Sequence, residues 1–198
     1  MTVDNTRRGH GTAATDQEHN RSSATSSTRA DEVVTSSEAR KVLAALRLTT
    51  GFIFLWAFLD KTFGLGFSTP SERAWINGGK PSQGFLTSDA VQGPLKGFFA
   101  SIASPVSDVL LMLGMLGIGL AVMLGIGTRV AAWAGSVVMV LMYLAELPAA
   151  GGSNPLIDSH VIYALVLVLV ALTSAGDTWG LGRWWKSLEI VRKNPWLI

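Results

Sequence analysis

The chain has 198 residues, of which 48% are apolar and 15% charged, with a mean hydropathy of +0.36 and a formal net charge of +2. Such a composition is too apolar for an ordinary soluble domain of this length, and its basic balance comes from Lys and Arg along an expected cytoplasmic face, with no nucleic-acid partner implied. There is no cysteine, and only His160 lies outside the N-terminal tail, so disulfides, iron–sulfur clusters, thiolate ligation, dithiol relays and paired-histidine haem are all excluded within one chain.

Residues 1–38 are rich in Ser, Thr and Asn with charges of both signs, and without an apolar run they read as a disordered tail. The first apolar run begins near residue 42, too late for a cleaved signal peptide, so the first span is expected to act as an uncleaved anchor. A helix needs roughly 20 mainly apolar residues to cross a hydrocarbon layer of about 30 Å. Four segments qualify, at about 42–60, 106–126, 129–147 and 159–175, the last being the shortest. The fold class is therefore an all-α membrane protein, a four-helix transmembrane bundle over residues 39–185, followed by an interfacial tail at 186–198.

Orientation follows from Lys and Arg. Arg40 and Lys41 precede segment one, Arg129 sits in the turn between segments two and three, and Arg183, Lys186, Arg192 and Lys193 follow segment four. The connection between segments three and four has neither, and the long 62–104 connection has only Lys61, Arg73, Lys80 and Lys96 in and beside it. Both termini belong inside and both of these connections outside, which fits a bacterial plasma membrane.

In segment one, Arg47 lies about one and a half turns inside the membrane and either snorkels to the inner headgroups or meets a buried partner. Trp56 and Asp60 share a helix face at its outer end; Asp60 and Lys61 also read simply as a pair with each other or with water. The 62–104 connection is rich in Gly, Pro and Ser. Its phrase WINGGKPSQGFL (75–86) reads as turns around an aromatic anchor, and LKGFFASIA (95–103) as a short amphipathic segment that rests Phe98 and Phe99 on the membrane surface. The connection is either a lid over the outer polar residues or a surface-lying loop with no ligand.

Ser104–Pro105 is an N-cap and first-turn pair opening segment two, where Asp108 favours the positive end of the helix dipole. The inner turn GIGT is very short, Thr128 is expected to cap segment three and Pro148 to end it, so segments two and three form an antiparallel hairpin. Gly117, Ala121 and Gly125 in segment two, with Ala131/Gly135 and Ala132/Ser136 in segment three, have the small-residue spacing that lets helices approach closely in lipid.

Tyr143 and Glu146 share a face at the outer end of segment three, and His160 and Tyr163 share one at the start of segment four, where Asp158 reads as the N-cap. Tyr143, Tyr163 and Trp56 also suit an interfacial aromatic belt. Glu146 and His160 are ionisable groups at span ends and are harder to explain structurally. The short connection predicts that they share an outward-facing pocket with Tyr143 and Tyr163, with Trp56 and Asp60 on its rim. The C-terminal GLGRWWKSLEIVRKNPWLI reads as a basic, Trp-rich interfacial helix.

The hairpin GIGTRVAAW (125–133), the outer-loop phrase INGGKPSQGFL (76–86), and NPLIDSHVIYAL followed by GDTWGLG (176–182) together resemble the DoxX/DoxD family of small four-span membrane proteins, over about residues 42–185. The family takes its name from the membrane subunit of a thiosulfate:quinone oxidoreductase, and relatives act as membrane partners in oxidative-stress complexes. The resemblance implies a quinone-linked redox role for the outer polar residues, with menaquinone or ubiquinone as cofactor. Many relatives carry a glutamate in span two, where this chain reads LLMLGMLGIG around Met115. On chemical grounds His160 suits a donor to a quinone oxygen, Glu146 a proton acceptor and Trp56 an aromatic wall, with Asp60, Tyr143 and Tyr163 as further cofactor contacts.

Two function classes follow. One is a subunit passing electrons from a peripheral or membrane redox partner to quinone, since no nucleotide-binding motif supplies them from this chain. The other is a non-enzymatic scaffold or assembly partner of a redox or stress-response complex. A transporter fits less well, because no span is broken in its middle. Membrane lipid is the other partner, a homo-oligomer is compatible with the small-residue faces, and no metal ligand set is read.

Overall fold

A computed structural model of the chain describes residues 33–147 and 156–198. Two compact units divide at Thr35/Ser36. The disordered tail expected for residues 1–38 falls mostly outside the described residues, as do Pro148 and the glycine-rich 149–153 stretch.

All regular structure among the described residues is helical: α1 (Ser37–Phe63), α2 (Pro81–Leu86), α3 (Lys96–Ile102), α4 (Pro105–Leu124), α5 (Thr128–Ala145), α6 (Ser159–Leu172), α7 (Gly182–Ser187) and α8 (Glu189–Lys193), with single 3-10 turns between some of them. Helices α1, α4 and α5 are long and apolar enough to cross a membrane. Helix α6 has 14 residues, about 21 Å at 1.5 Å per residue, which is shorter than the 159–175 span read from the sequence. It stops where Ser174 adopts a left-handed backbone with φ 49°.

Local signals start the helices. Ser36 caps α1 through the Ala39 amide, and Ser104 opens α4 in a reciprocal capping box with Ser107, Pro105 taking the first turn. Thr128 is not the cap expected of it. Gly127, in a left-handed conformation with φ 56°, holds the cap position of α5, and Thr128 is its buried first residue. The basic C-terminal segment is two short helices, not one, because Leu188 is extended between them.

The heaviest packing joins α1 to α4 and α5 to α6; the α4–α5 and α1–α6 seams are lighter. A hairpin therefore connects α4 and α5 without being the main seam. Close approach falls where a glycine faces a neighbour: a Cβ on Gly119 would stand 2.7 Å from the Leu55 nitrogen, and one on Gly51 would stand 2.8 Å from the Met123 nitrogen. Gly117, assigned to a seam by its spacing, faces open space. Ser136 turns toward α6, reaching the Ala164 carbonyl at 3.5 Å. Phe54, Ile118, Val122, Ala131, Ala132, Met139 and Leu167 form the shared core.

The end where α1 finishes and α4 begins, with Glu146 and Asp158 at the ends of α5 and α6, is the loop end, and the opposite one is the tail end. Arg47 governs the tail end. Its side chain has no exposure. Nη1 donates to the carbonyls of Val122 (2.6 Å) and Met123, while Nη2 donates to those of Trp179 (3.0 Å) and Thr178 (3.4 Å). Carbonyls of a last helical turn carry the negative end of the dipole and have accepting capacity to spare, the Val122 carbonyl taking only the Gly125 amide at 3.2 Å, so a buried guanidinium suits them. The snorkelling reading is thus overturned in favour of buried partners. Glycines allow the close approach around it: a Cβ on Gly125 would stand 2.6 Å from the Gly176 Cα and 3.2 Å from Nη1, and one on Gly180 would stand 2.5 Å from the Gly176 carbonyl oxygen and 3.0 Å from Nη2. Trp179 sits at φ 53°, a conformation unfavourable for a bulky residue, and its carbonyl bond to Arg47 holds it there.

Replacing Arg47 with Met leaves buried carbonyls without their charged donor, and each such loss costs roughly 1–3 kcal/mol. Arg47→Met should lower the unfolding free energy of the detergent-solubilised protein by at least about 2 kcal/mol in denaturant titration. Trp133→Ala, at a side chain 76% exposed, should change it by less than about 0.5 kcal/mol.

Candidate functional site

At the loop end the buried and half-buried acidic residues divide into two kinds. Asp60, only 1% exposed, accepts from the amides of Phe67 (3.2 Å) and Ser68 (3.0 Å) and from the Ser68 hydroxyl (2.7 Å). It fixes the turn that follows α1. Asp108, 5% exposed, accepts from the amides of Ser82 (2.7 Å) and Gln83 (3.0 Å), the Ser82 hydroxyl (2.8 Å) and the Gln83 side-chain amide. It therefore caps α2 and latches the long connection to α4, a larger task than the favourable dipole placement read from sequence. A third anchor is the Gln92 amide, which donates to the Ala145 carbonyl at 3.0 Å. Beside it, Phe99 packs with Val91 and Ala145 in a small second core while Phe98 stays exposed, so only one of the paired phenylalanines is free to rest on a membrane surface.

The other kind is the cluster at the ends of α5 and α6. Glu146 directly follows the last residue of α5. Asp158 caps α6 as the sequence predicts, Oδ1 accepting from the amides of His160 (3.0 Å) and Val161 (3.2 Å). Its second oxygen, Oδ2, lies 2.7 Å from His160 Nδ1. Glu146, Asp158 and His160 each place one ligand-type atom within 4.8 Å of those of the other two, and all three are half-buried. Burial alone would raise the Asp158 carboxyl, but the bonds from the His160 ring and from the Val161 and His160 amides, together with the imidazole charge, outweigh it and hold the pKa below the ordinary carboxylate value. An ionised Asp158 places the proton on Nδ1 and leaves Nε2 as the nitrogen outside this pair.

The structure thus brings Glu146 and His160 together and adds Asp158, which the sequence identified only as a cap. Its spacing two residues before His160 was the available signal, since an N-cap carboxylate has a second oxygen to offer. The other four named residues belong to different sets of contacts. Tyr143 donates to the Leu156 carbonyl at 2.8 Å, tying α5 to the chain that re-enters α6. Tyr163, one turn beyond His160, packs against the main core. Trp56 meets Phe67 edge-on at 5.1 Å and Phe52 at 5.8 Å, and Asp60 is committed to its own turn.

Chemically, the cluster offers a carboxylate-oriented imidazole and a second carboxylate within a few ångströms, a set able to hold and move a proton or to ligate a cation. Met115 is buried in α4. Comparison of the chain with models of known protein families, with curated proteins and with solved structures gives no match.

The depressed Asp158 pKa fixes a pH dependence. A carboxyl whose folded pKa lies below its unfolded value of about 3.9 contributes stability that is fully present above that value and lost as pH falls through the folded one. Thermal midpoints in metal-free buffer should therefore decline below about pH 4, and Asp158→Asn, which keeps a capping side chain, should flatten the decline. An unchanged decline would place its origin elsewhere.

Proposed function

We propose that the chain is the integral membrane subunit of a quinone-linked oxidoreductase, similar in kind to the thiosulfate:quinone oxidoreductase subunits of the DoxX/DoxD family that its motifs resemble. On this reading α1, α4, α5 and the shorter α6 form a four-span bundle, with both ends inside and the loop end outside, in a plasma membrane. The observation that carries it is the Glu146–Asp158–His160 cluster at a helix end, where a lipid-soluble headgroup would meet water. Quinone is the substrate, taking two electrons from a partner protein and two protons to become quinol.

The chain's own residues do the rest. Asp158 orients the His160 ring through its bond at Nδ1, which leaves Nε2 to meet a quinone oxygen and pass it a proton. Glu146 returns a proton to the imidazole from the aqueous side. Half-burial keeps these groups together while leaving them within reach of water. Asp60 and Asp108, saturated by hydrogen bonds from the loop, hold the surroundings and contribute no proton. A scaffold reading draws on the exposed Phe67, Ile76 and Phe98 of the long connection, a surface that a partner protein would cover.

His160→Ala and Glu146→Gln should each lower saturable quinone binding by about tenfold or more in the purified protein, with membrane insertion intact. Equal binding in wild type and variants, or none in either, would leave the scaffold. For orientation, a cysteine at Leu156, 71% exposed, should react in this cysteine-free chain with an impermeant thiol reagent added to intact spheroplasts, and one at Ile190 should not. The reverse pattern would overturn the topology.

A further inference from the structure

We propose that Glu146, Asp158 and His160 form a binding site for one divalent first-row transition ion, a function that does not depend on the quinone reading. Three observations meet here. The first is geometric: one oxygen or nitrogen of each residue already lies within 4.8 Å of the others, with Asp158 Oδ2 and His160 Nδ1 only 2.7 Å apart. An ion with bonds of about 2.1 Å holds its ligand atoms roughly 3.0–3.4 Å apart. Asp158 and His160 therefore separate by a few tenths of an ångström as the ion replaces the proton between them, the neutral ring then carrying its proton on Nε2, and the Glu146 side chain closes the remaining gap by rotation.

The second is electrostatic. Glu146 follows the last residue of α5, where the helix dipole is negative and a carboxylate is unfavourable without a cation. The chain has no Lys or Arg between Arg129 and Arg183, and among the described residues none makes an ion pair with Glu146. Two carboxylates and a neutral imidazole carry a charge of −2, which one divalent ion neutralises.

The third is support from outside the ligand atoms. Asp158 Oδ1 is fixed by two amides at the start of α6, while the Tyr143 bond to Leu156 ties the two helix ends together. Ligands held by such bonds on helix ends lose little freedom on binding. Oxygen and imidazole donors without a thiolate select ions such as Mn(II), Fe(II), Co(II) or Zn(II) over soft Cu(I).

The test uses the full chain, purified in detergent with chelator, dialysed and titrated with Co(II) alone, without quinone. Visible absorption and calorimetry should show one ion per chain, displaceable by Zn(II). Glu146→Gln, His160→Gln and Asp158→Asn, each checked for an unchanged helical spectrum, should weaken binding by about tenfold or more, whereas Glu189→Gln at the tail end should not. Absence of saturable one-to-one binding, or affinities within about twofold of wild type in all three variants, overturns the site. Binding of Co(II) by a protein that does not bind quinone would remove the redox reading alone, and the converse result would remove the metal site alone.

Discussion

A single buried guanidinium holds the tail end together. In an apolar interior an unpaired charge is very costly, and Arg47 is supplied with carbonyls from two separate places, the last turn of α4 and residues 178–179. Binding them to a residue of α1 makes the α1–α4 seam, the α4–α5 turn and the return of the chain after α6 mutually dependent. The chain is tight around this group: a Cβ at Gly125 or Gly180 would press first on the Gly176 backbone and next on the guanidinium or the Leu124 carbonyl, and Trp179, whose carbonyl Arg47 holds, is left-handed.

The loop end solves a different problem by different means. Long polar connections near a membrane must satisfy their own backbone amides, and two carboxylates take on much of that work. Asp60 gathers the turn after α1, and Asp108 gathers the start of α2, each accepting several donors. With these two saturated, Glu146, Asp158 and His160 stand apart as a half-buried cluster of ionisable groups at that end. The proposed proton-handling and metal-binding roles both draw on the same feature: a carboxylate-held imidazole with a second carboxylate nearby and, among the described residues, no ion pair to lysine or arginine.

Much of this was legible in the sequence where the determinant is local. Ser104–Pro105 and Asp158 start their helices as capping chemistry requires, and apolar run length marks α1, α4 and α5 as long membrane-competent helices. The proximity of Glu146 and His160 was also legible, because a short connection brings antiparallel helix ends side by side. What the sequence hid is tertiary. Nothing near Arg47 announces carbonyls more than seventy residues away, and small-residue spacing cannot tell Gly119, pressed against α1, from Gly117, which faces open space. The cap of α5 passed from Thr128 to Gly127 because the short turn needs positive φ, and α6 ended early through a left-handed Ser174 that no apolar count reveals.

The central claim is that a quinone headgroup meets the protein at the ends of α5 and α6. Photolabelling of membranes containing the full chain with an azidoquinone, followed by peptide mapping, tests it most directly. The account predicts labelling within residues 143–163, suppressed by excess unlabelled quinone. Suppressible labelling confined to the tail end around residues 176–190, or labelling that excess quinone does not suppress, would contradict it.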